Sequence, residues 1–357
     1  MVFEFWIDPA DDMKQLRFIE NPDVAEIGNS PEEFLNWLGQ AGCIFLEGEN
    51  PERTRAFVTL LHGNEPSGAR ALFQWLKSGR RPAVNVLCFL PSVQAALQPP
   101  VYSHRMLAGR RDLNRCFRPP FSDQQGELAQ EILETLEQHQ PECVVDMHNT
   151  SGSGPGFGVA VSVDARHRAL VSQFTSTLVT NDLRLGALME ISEHLFPTVT
   201  IECGGRLDED AHQLAWQGLQ GYMRAENVFT DELAERKLDV FRNPVRLEVS
   251  EGCGLVYADR VQAGFELTLN SDIEKYNFEF ITRGTSIGWT SSNDLSCFSA
   301  HNMQQQSVVE HLLAIDQGQV VVTQDLKLFM ATSDADIARN DCLFYAVSVN
   351  GDSVLAA

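Results

Sequence analysis

With 357 residues, 43% of them hydrophobic, the chain is long enough for one large α/β domain and a smaller companion, and its composition excludes a disordered class. Lys plus Arg number 27 against 49 Asp plus Glu, a formal net charge of -22 that repels phosphate backbones and anionic headgroups and so argues against nucleic acid or membrane as partners. The eight cysteines are scattered singly, which predicts free thiols behaving as small hydrophobes, with neither a disulfide framework nor a thiolate metal site.

No apolar run of transmembrane length is present, and the stretch from Met1 to Asp8 lacks the basic and apolar regions of a secretory signal. A reducing cytoplasm is the expected location. Residues 30–38 read as a helix, with Ser30 as N-cap ahead of Pro31 and Glu33, followed by a short strand at 43–46. From Thr54 the rhythm is strand, helix, strand, that of an open sheet covered by helices. A strand at 56–61 runs into His62-Gly63-Asn64-Glu65, and 66–77 has helical spacing with Pro66 at its first position.

Further strands are expected at 84–90, 142–147, 157–163 and 197–201, and helices at 126–139, 166–178 and 208–225. The stretch 148–156 is too rich in glycine for regular structure. Beyond Val228 the texture changes. An acidic linker at 230–238 leads to strands at 245–249, 265–269, 285–289, 320–323, 327–330 and 343–349, with few helical patterns between them. The expectation is an α/β fold, an open mixed sheet flanked by helices over 1–228, with a smaller β-rich C-terminal domain over 229–357.

Four stretches carry chemistry. His62 and Glu65 sit where a strand gives way to a helix, which is where open α/β sheets place ligands, and imidazole plus carboxylate is an ordinary zinc set. His148 also ends a strand and would complete a three-residue set with a fourth position open; Asp146, two residues earlier on the same side, could orient a ligand imidazole. Arg105, Arg110, Arg111 and Arg115 fall within eleven residues of an acidic chain, and guanidinium forks bind carboxylates. Glu202 ends a strand beside Gly204 and Gly205, as a base that activates water and passes its proton to a leaving nitrogen would. Taken singly, each stretch also fits a turn, a satisfied core histidine or a surface ion pair.

In combination, His62-Gly63-Asn64-Glu65, Asp112-Leu113-Asn114-Arg115, Asp146-Met147-His148 and Ile201-Glu202-Cys203-Gly204 resemble the succinylglutamate desuccinylase and aspartoacylase family, within the wider zinc carboxypeptidase-like hydrolases. The resemblance implies one zinc ion per chain held by His62, Glu65 and His148, with Glu202 as general base. It implies that Asn114 and Arg115 hold a substrate carboxylate, with Arg111 beside them, and that an upstream arginine polarises the scissile carbonyl. The family's spacing puts that arginine at Leu107; Arg105 fits a longer loop, and Arg110 and Arg111 are rivals. Aspartoacylase carries a carboxylate-binding arginine about ten residues before its base, where this chain has Ser192 and its nearest arginine is Arg184. The tail stretch from Tyr276 to Thr285 is closer to the desuccinylase branch.

The resulting expectation is a zinc-dependent amidohydrolase acting on a small-molecule N-acyl amino acid, compatible with a homo-oligomer. A metallocarboxypeptidase acting on small peptides would use the same ligands, and a metal-free binding protein decayed from a hydrolase is the alternative of a different class.

Overall fold

The structure is a computed structural model that describes residues 14–348 apart from Glu251, Asn293, Met303 and Asp341. The N-terminal stretch read above for a leader, and Val349 at the end of the last expected strand, lie outside the described residues.

Nine strands build one large sheet: β1 (Arg17–Glu20), β2 (Gly42–Leu46), β3 (Asn50–Thr59), β4 (Val84–Leu90), β5 (Val144–Thr150), β6 (Phe157–Ala160), β7 (Thr177–Thr180), β8 (Thr198–Gly205) and β9 (Asp239–Arg242), in the order β1-β2-β4-β3-β5-β8-β6-β7-β9. The middle of the sheet, β4-β3-β5-β8, is parallel, and the β2-β4 and β8-β6 pairs are antiparallel, so the sheet is mixed as expected. Every residue of β4 and β5 is buried. Near-continuous apolar runs such as Val84–Leu90 are what a strand covered on both faces requires.

The covering helices are α1 (Pro31–Leu38), α2 (Ser67–Lys77), α3 (Val93–Leu97), α4 (Gln124–His139), α5 (Ala165–Val171) and α6 (Glu209–Arg224). Ser30 caps α1 by accepting from the Glu33 N–H at 3.1 Å, as its sequence predicts. Apolar faces of α2 and α6, including Trp75, Leu72, Leu219 and Tyr222, fill one side of the sheet, while α4 covers the other through Ala129, Ile132 and Leu136.

Three local expectations are corrected. The helix expected over 166–178 ends at Val171, and Thr177–Thr180 is strand β7. Ser and Thr favour bonding the backbone over extending a helix, and here the Thr175 hydroxyl donates to the Gly156 carbonyl at 2.7 Å. Two strands also run further than expected, although 151–156 is irregular as its glycines predict. β5 runs through Thr150 and β8 through Gly205, because each strand pairs with the other across an irregularity between His148 and Thr150. Third, Cys253 and Cys297 form a disulfide, whereas Cys43, Cys88, Cys116, Cys143, Cys203 and Cys342 are free and buried. The antiparallel pairing of Val249 with Phe298 brings together cysteines 44 positions apart, which sequence spacing could not show. The expectation of a reducing compartment rested on unpaired cysteines, and this pair is bonded.

The tail contains two five-stranded sheets. One orders Phe280–Ile281, Leu326–Phe329, Phe344–Ser348, Val245–Val249 and Phe298–Ala300; the other orders Leu255–Tyr257, Leu267–Leu269, Ser286–Thr290, Gln319–Val322 and Leu313–Asp316. They enclose their own apolar core around Leu247, Leu267, Ile287 and Phe344. The large sheet takes its last strand from beyond Val228, since β9 pairs in parallel with β7. An aromatic group of Phe157, Phe241, Phe278 and Phe329, with ring centroids 5.0–6.4 Å apart, joins that edge of the sheet to the tail. No helix among the described residues is long and apolar enough to cross a membrane.

Candidate metal centre and the cavity around it

Three adjacent strand ends deliver the site. β3 stops at Thr59, and Leu60, buried at a left-handed φ of 57°, turns the chain toward the sheet's carboxyl edge. A left-handed branched side chain is strained by about 1–2 kcal/mol, and Leu60 is held there by the Ser92 N–H on its carbonyl at 3.0 Å. Gly63 follows where a Cβ would lie 2.6 Å from the Ala96 nitrogen and 2.7 Å from the His104 carbonyl oxygen, so only glycine fits. This turn buries His62 and Glu65 at the mouth of β5. On the neighbouring strands the parallel register sets His148 directly beside Glu202.

The sequence-predicted trio is brought together. Ligand-capable atoms of His62, Glu65 and His148 all lie within 4.8 Å of one another, and all three side chains are buried. Nδ1 of His62 is 2.8 Å from one Glu65 oxygen, and Nδ1 of His148 is 2.7 Å from the other. Each ring turns its opposite nitrogen to an aspartate: His62 Nε2 lies 3.0 Å from Asp112 Oδ1, and His148 Nε2 lies 2.7 Å from Asp146 Oδ2. An Nε2–H donated to a carboxylate fixes the tautomer in which Nδ1 presents its lone pair, the arrangement metal-ligating histidines use. Asp146 therefore has the orienting place its spacing suggested. Asp112, fifty positions from His62, performs the same task unannounced by any local signal.

The charges fit a cation. Burial works against a positive His62 or His148, yet the adjoining carboxylates win: Glu65 and Asp112 raise His62, and Asp146 and Glu65 raise His148 well above the usual imidazole range. Burial likewise opposes ionised Glu65, but the two imidazoles hold its carboxyl well below the ordinary range. Glu65, Asp112 and Asp146 together thus draw positive charge into a buried spot, by protons on histidine when no metal is present. With two neutral-nitrogen donors and a carboxylate, the residues fit zinc.

Glu202 shares this cavity and makes no hydrogen bond through its buried Oε2. Burial, reinforced by Glu65 and opposed by the histidines, pushes its carboxyl up from 4.5 to about 7. A carboxyl raised in the folded state stabilises the fold below its unfolded pKa and loses that contribution as pH rises through the folded value. In metal-free protein, the melting temperature of the wild type relative to Glu202→Gln should accordingly fall between about pH 4.5 and about pH 7. A flat difference across that window would show that Glu202 titrates normally.

The cavity, about 430 Å³, is also lined by Arg105, Asn114, Arg115 and Arg206. Arg105 reaches Asp112 Oδ2 at 3.0 Å and Glu65 Oε1 at 3.4 Å, which puts it against the metal cluster. Its rivals do not come here. Arg111 forks onto Asp123, with Nη2 2.7 Å from Oδ1, and Arg110 lines a separate small cavity. Asn114 uses its side-chain oxygen to accept from the Leu188 N–H at 2.9 Å, and Arg115 donates one Nη1–H to the Asn114 carbonyl at 2.8 Å. Ser192 lies apart, between His167 Nε2 and the Thr198 N–H, while Arg184 pairs with Glu193. Arg206, which donates to the Tyr102 carbonyl at 2.8 Å, is a cavity cation that the sequence reading missed. Its only signal is its position directly after Gly204 and Gly205 at the end of the strand carrying Glu202.

A buried imidazole and carboxylate cluster at the carboxyl edge of parallel strands, facing a second acid in an arginine-bearing cavity, is a hydrolase-type site. Residues 54–223 match the sequence model of the succinylglutamate desuccinylase/aspartoacylase catalytic domain. Comparison with curated protein sequences gives no match. Among solved structures, a succinylglutamate desuccinylase/aspartoacylase from Rhodobacter sphaeroides superposes with a TM-score of 0.53 at 17% identity, covering 87% of this chain and 88% of that one. The succinylglutamate desuccinylase of Vibrio cholerae gives 0.51 at 14% identity, with 83% and 81% covered, and that of Chromobacterium violaceum 0.50 at 16%, with 79% and 88% covered. At such identities the likeness is one of fold, and it extends over both the large sheet and the tail.

Proposed function

We propose that the chain is a zinc-dependent amidohydrolase that cleaves the amide bond of a small N-acyl amino acid to a carboxylate and a free amine. The observation that carries the reading is the convergence of His62, Glu65 and His148 in one cavity with Glu202 and three arginines.

His62, Glu65 and His148 would hold the zinc, which when bound supplies Lewis acidity toward a carbonyl and brings the pKa of water toward neutrality. Glu202 takes a proton from the attacking water as its oxygen bonds to the amide carbon. It returns that proton to the nitrogen as the carbon–nitrogen bond breaks. Its burial, which favours the protonated form, opposes the pull of the bound cation and suits a group that must both take and return a proton. Arg105, against the cluster, is placed to stabilise negative charge developing on the carbonyl oxygen. Arg115 and Arg206 present guanidinium groups to a substrate carboxylate, and Asn114 fixes the loop at Leu188 that borders it.

Replacing Arg115 with Ala should raise KM by about tenfold or more with a smaller change in kcat, the loss expected for a charge-assisted hydrogen bond worth about 1.5–3 kcal/mol. Unchanged kinetics would remove Arg115 from the substrate site. The reading as a whole is tested by screening N-succinyl, N-acetyl and N-formyl amino acids beside a dipeptide panel, with zinc measured on the same sample. Hydrolysis of dipeptides alone would make the chain a carboxypeptidase, and absence of both zinc binding and hydrolysis would make it a binding protein.

A further inference from the structure

The cavity walls are chemically divided. Its lining cations, Arg105, Arg115 and Arg206, come from the long segment after α3 and from the end of β8. Beside Glu202, sheet register builds an apolar wall. Phe157 on β6 stands opposite Glu202, Val159 opposite Thr200, and Val179 on β7 opposite Val159. With strands about 4.8 Å apart, the wall extends roughly 10 Å sideways from the line of β8. Leu183, after β7, and Phe329 and Ile337 of the tail face the same cavity.

Among the described residues, the part built by β6, β7, the loop after β7 and the tail contributes no cation to the lining. Its two acids are occupied: Glu190 Oε1 accepts from the N–H groups of Leu185 and Ala187 at 2.7 and 3.0 Å, and Asp334 Oδ1 from those of Asp336 and Ile337 at 2.9 and 3.2 Å. A carboxylate on this side would meet apolar surface and like charge. Beyond Leu183, Leu185 and Tyr345 the wall gives way to a shallow cavity of about 190 Å³ whose remaining lining is mostly polar, with Arg246, Glu248, His301 and Asn302, so the apolar surface ends there.

Resting on the deacylase reading above, we propose that the substrate is an amide with one carboxylate, held by Arg115 and Arg206, and an uncharged apolar group of at least leucine size laid against the β6–β7 wall. A dicarboxylic acyl amino acid does not match this lining. The apolar group could come from the amino acid or from the acyl chain, and N-acetylphenylalanine and N-hexanoylglycine separate these sources.

The zinc-loaded full chain is assayed on both, with N-succinylglutamate, N-acetylaspartate and N-acetylglycine for comparison. The better apolar substrate should exceed both dicarboxylates in kcat/KM by at least about tenfold, the scale set by burying one apolar side chain. Leu183→Asp, at a position 40% exposed and so tolerant of polarity, should lower the ratio of that value to the N-acetylglycine value by at least about tenfold. Preference for either dicarboxylate, or an unchanged ratio in the Leu183 variant, overturns the proposal while leaving the deacylase reading intact. If no amide is cleaved, the deacylase reading fails, and calorimetry on Glu202→Gln judges the lining alone: tighter binding of an apolar monocarboxylate than of N-succinylglutamate supports the proposal, and the reverse order or no binding overturns it.

Discussion

Glu202→Gln should retain zinc and lose about 10²–10⁴-fold in kcat, the usual contribution of a positioned acid–base group. The amide of Gln matches the carboxyl in size and cannot accept a proton, so the change isolates the chemistry from the packing. Glu202 is not one of the three clustered ligands, and its buried Oε2 has no hydrogen-bond partner whose loss could disturb the fold. Zinc content and melting temperature measured on the same preparation complete the test. Near-normal turnover with full zinc would show that another group moves the proton.

The largest effect on stability is expected from Arg55→Leu. Arg55 is completely buried beneath the end of α6, where Nη1 donates to the carbonyls of Tyr222 and Ala225 at 2.9 and 2.6 Å and Nη2 to that of Glu226 at 2.8 Å. Its Nε meets Glu142, which also pairs with Arg53. One guanidinium therefore satisfies the open carbonyls at a helix terminus and pins that helix to the β3 side of the sheet. Removing one partner of a buried charged pair costs about 3–5 kcal/mol. The urea midpoint should fall accordingly, and a loss below about 1 kcal/mol would mean that water enters to solvate the carbonyls.

What the sequence made legible follows from how locally each feature is encoded. The strands at Val84–Leu90 and Val245–Val249 and the helix capped by Ser30 are written in contiguous patterns of burial and capping, and the structure has them. His62 and Glu65 share one turn, and His148 carries its own orienting Asp146 two residues away, so the cluster could be assembled from short motifs. Contributions from pairing between distant segments were not legible. Asp112 reaches His62 only because the arginine-rich loop folds back over the strand ends. The extension of β8 past Gly204 depends on β5 beside it, and the Cys253–Cys297 bond depends on two tail strands meeting. The arginine rivalry was likewise spatial: Arg105 and Arg111 are equivalent in composition, but Asp123 at the start of α4 draws Arg111 away while Glu65 and Asp112 hold Arg105 at the cavity.

The most direct test of the central claim is a calorimetric titration of zinc into metal-free wild-type chain and the Glu65→Ala variant side by side. Glu65 bridges both histidines, so its removal leaves two nitrogen donors that cannot hold the ion alone. The expected result is one tight site per chain in the wild type and loss of that site in the variant. Equal zinc binding by the two proteins, or none by the wild type, would contradict the assignment of His62, Glu65 and His148 as the metal centre.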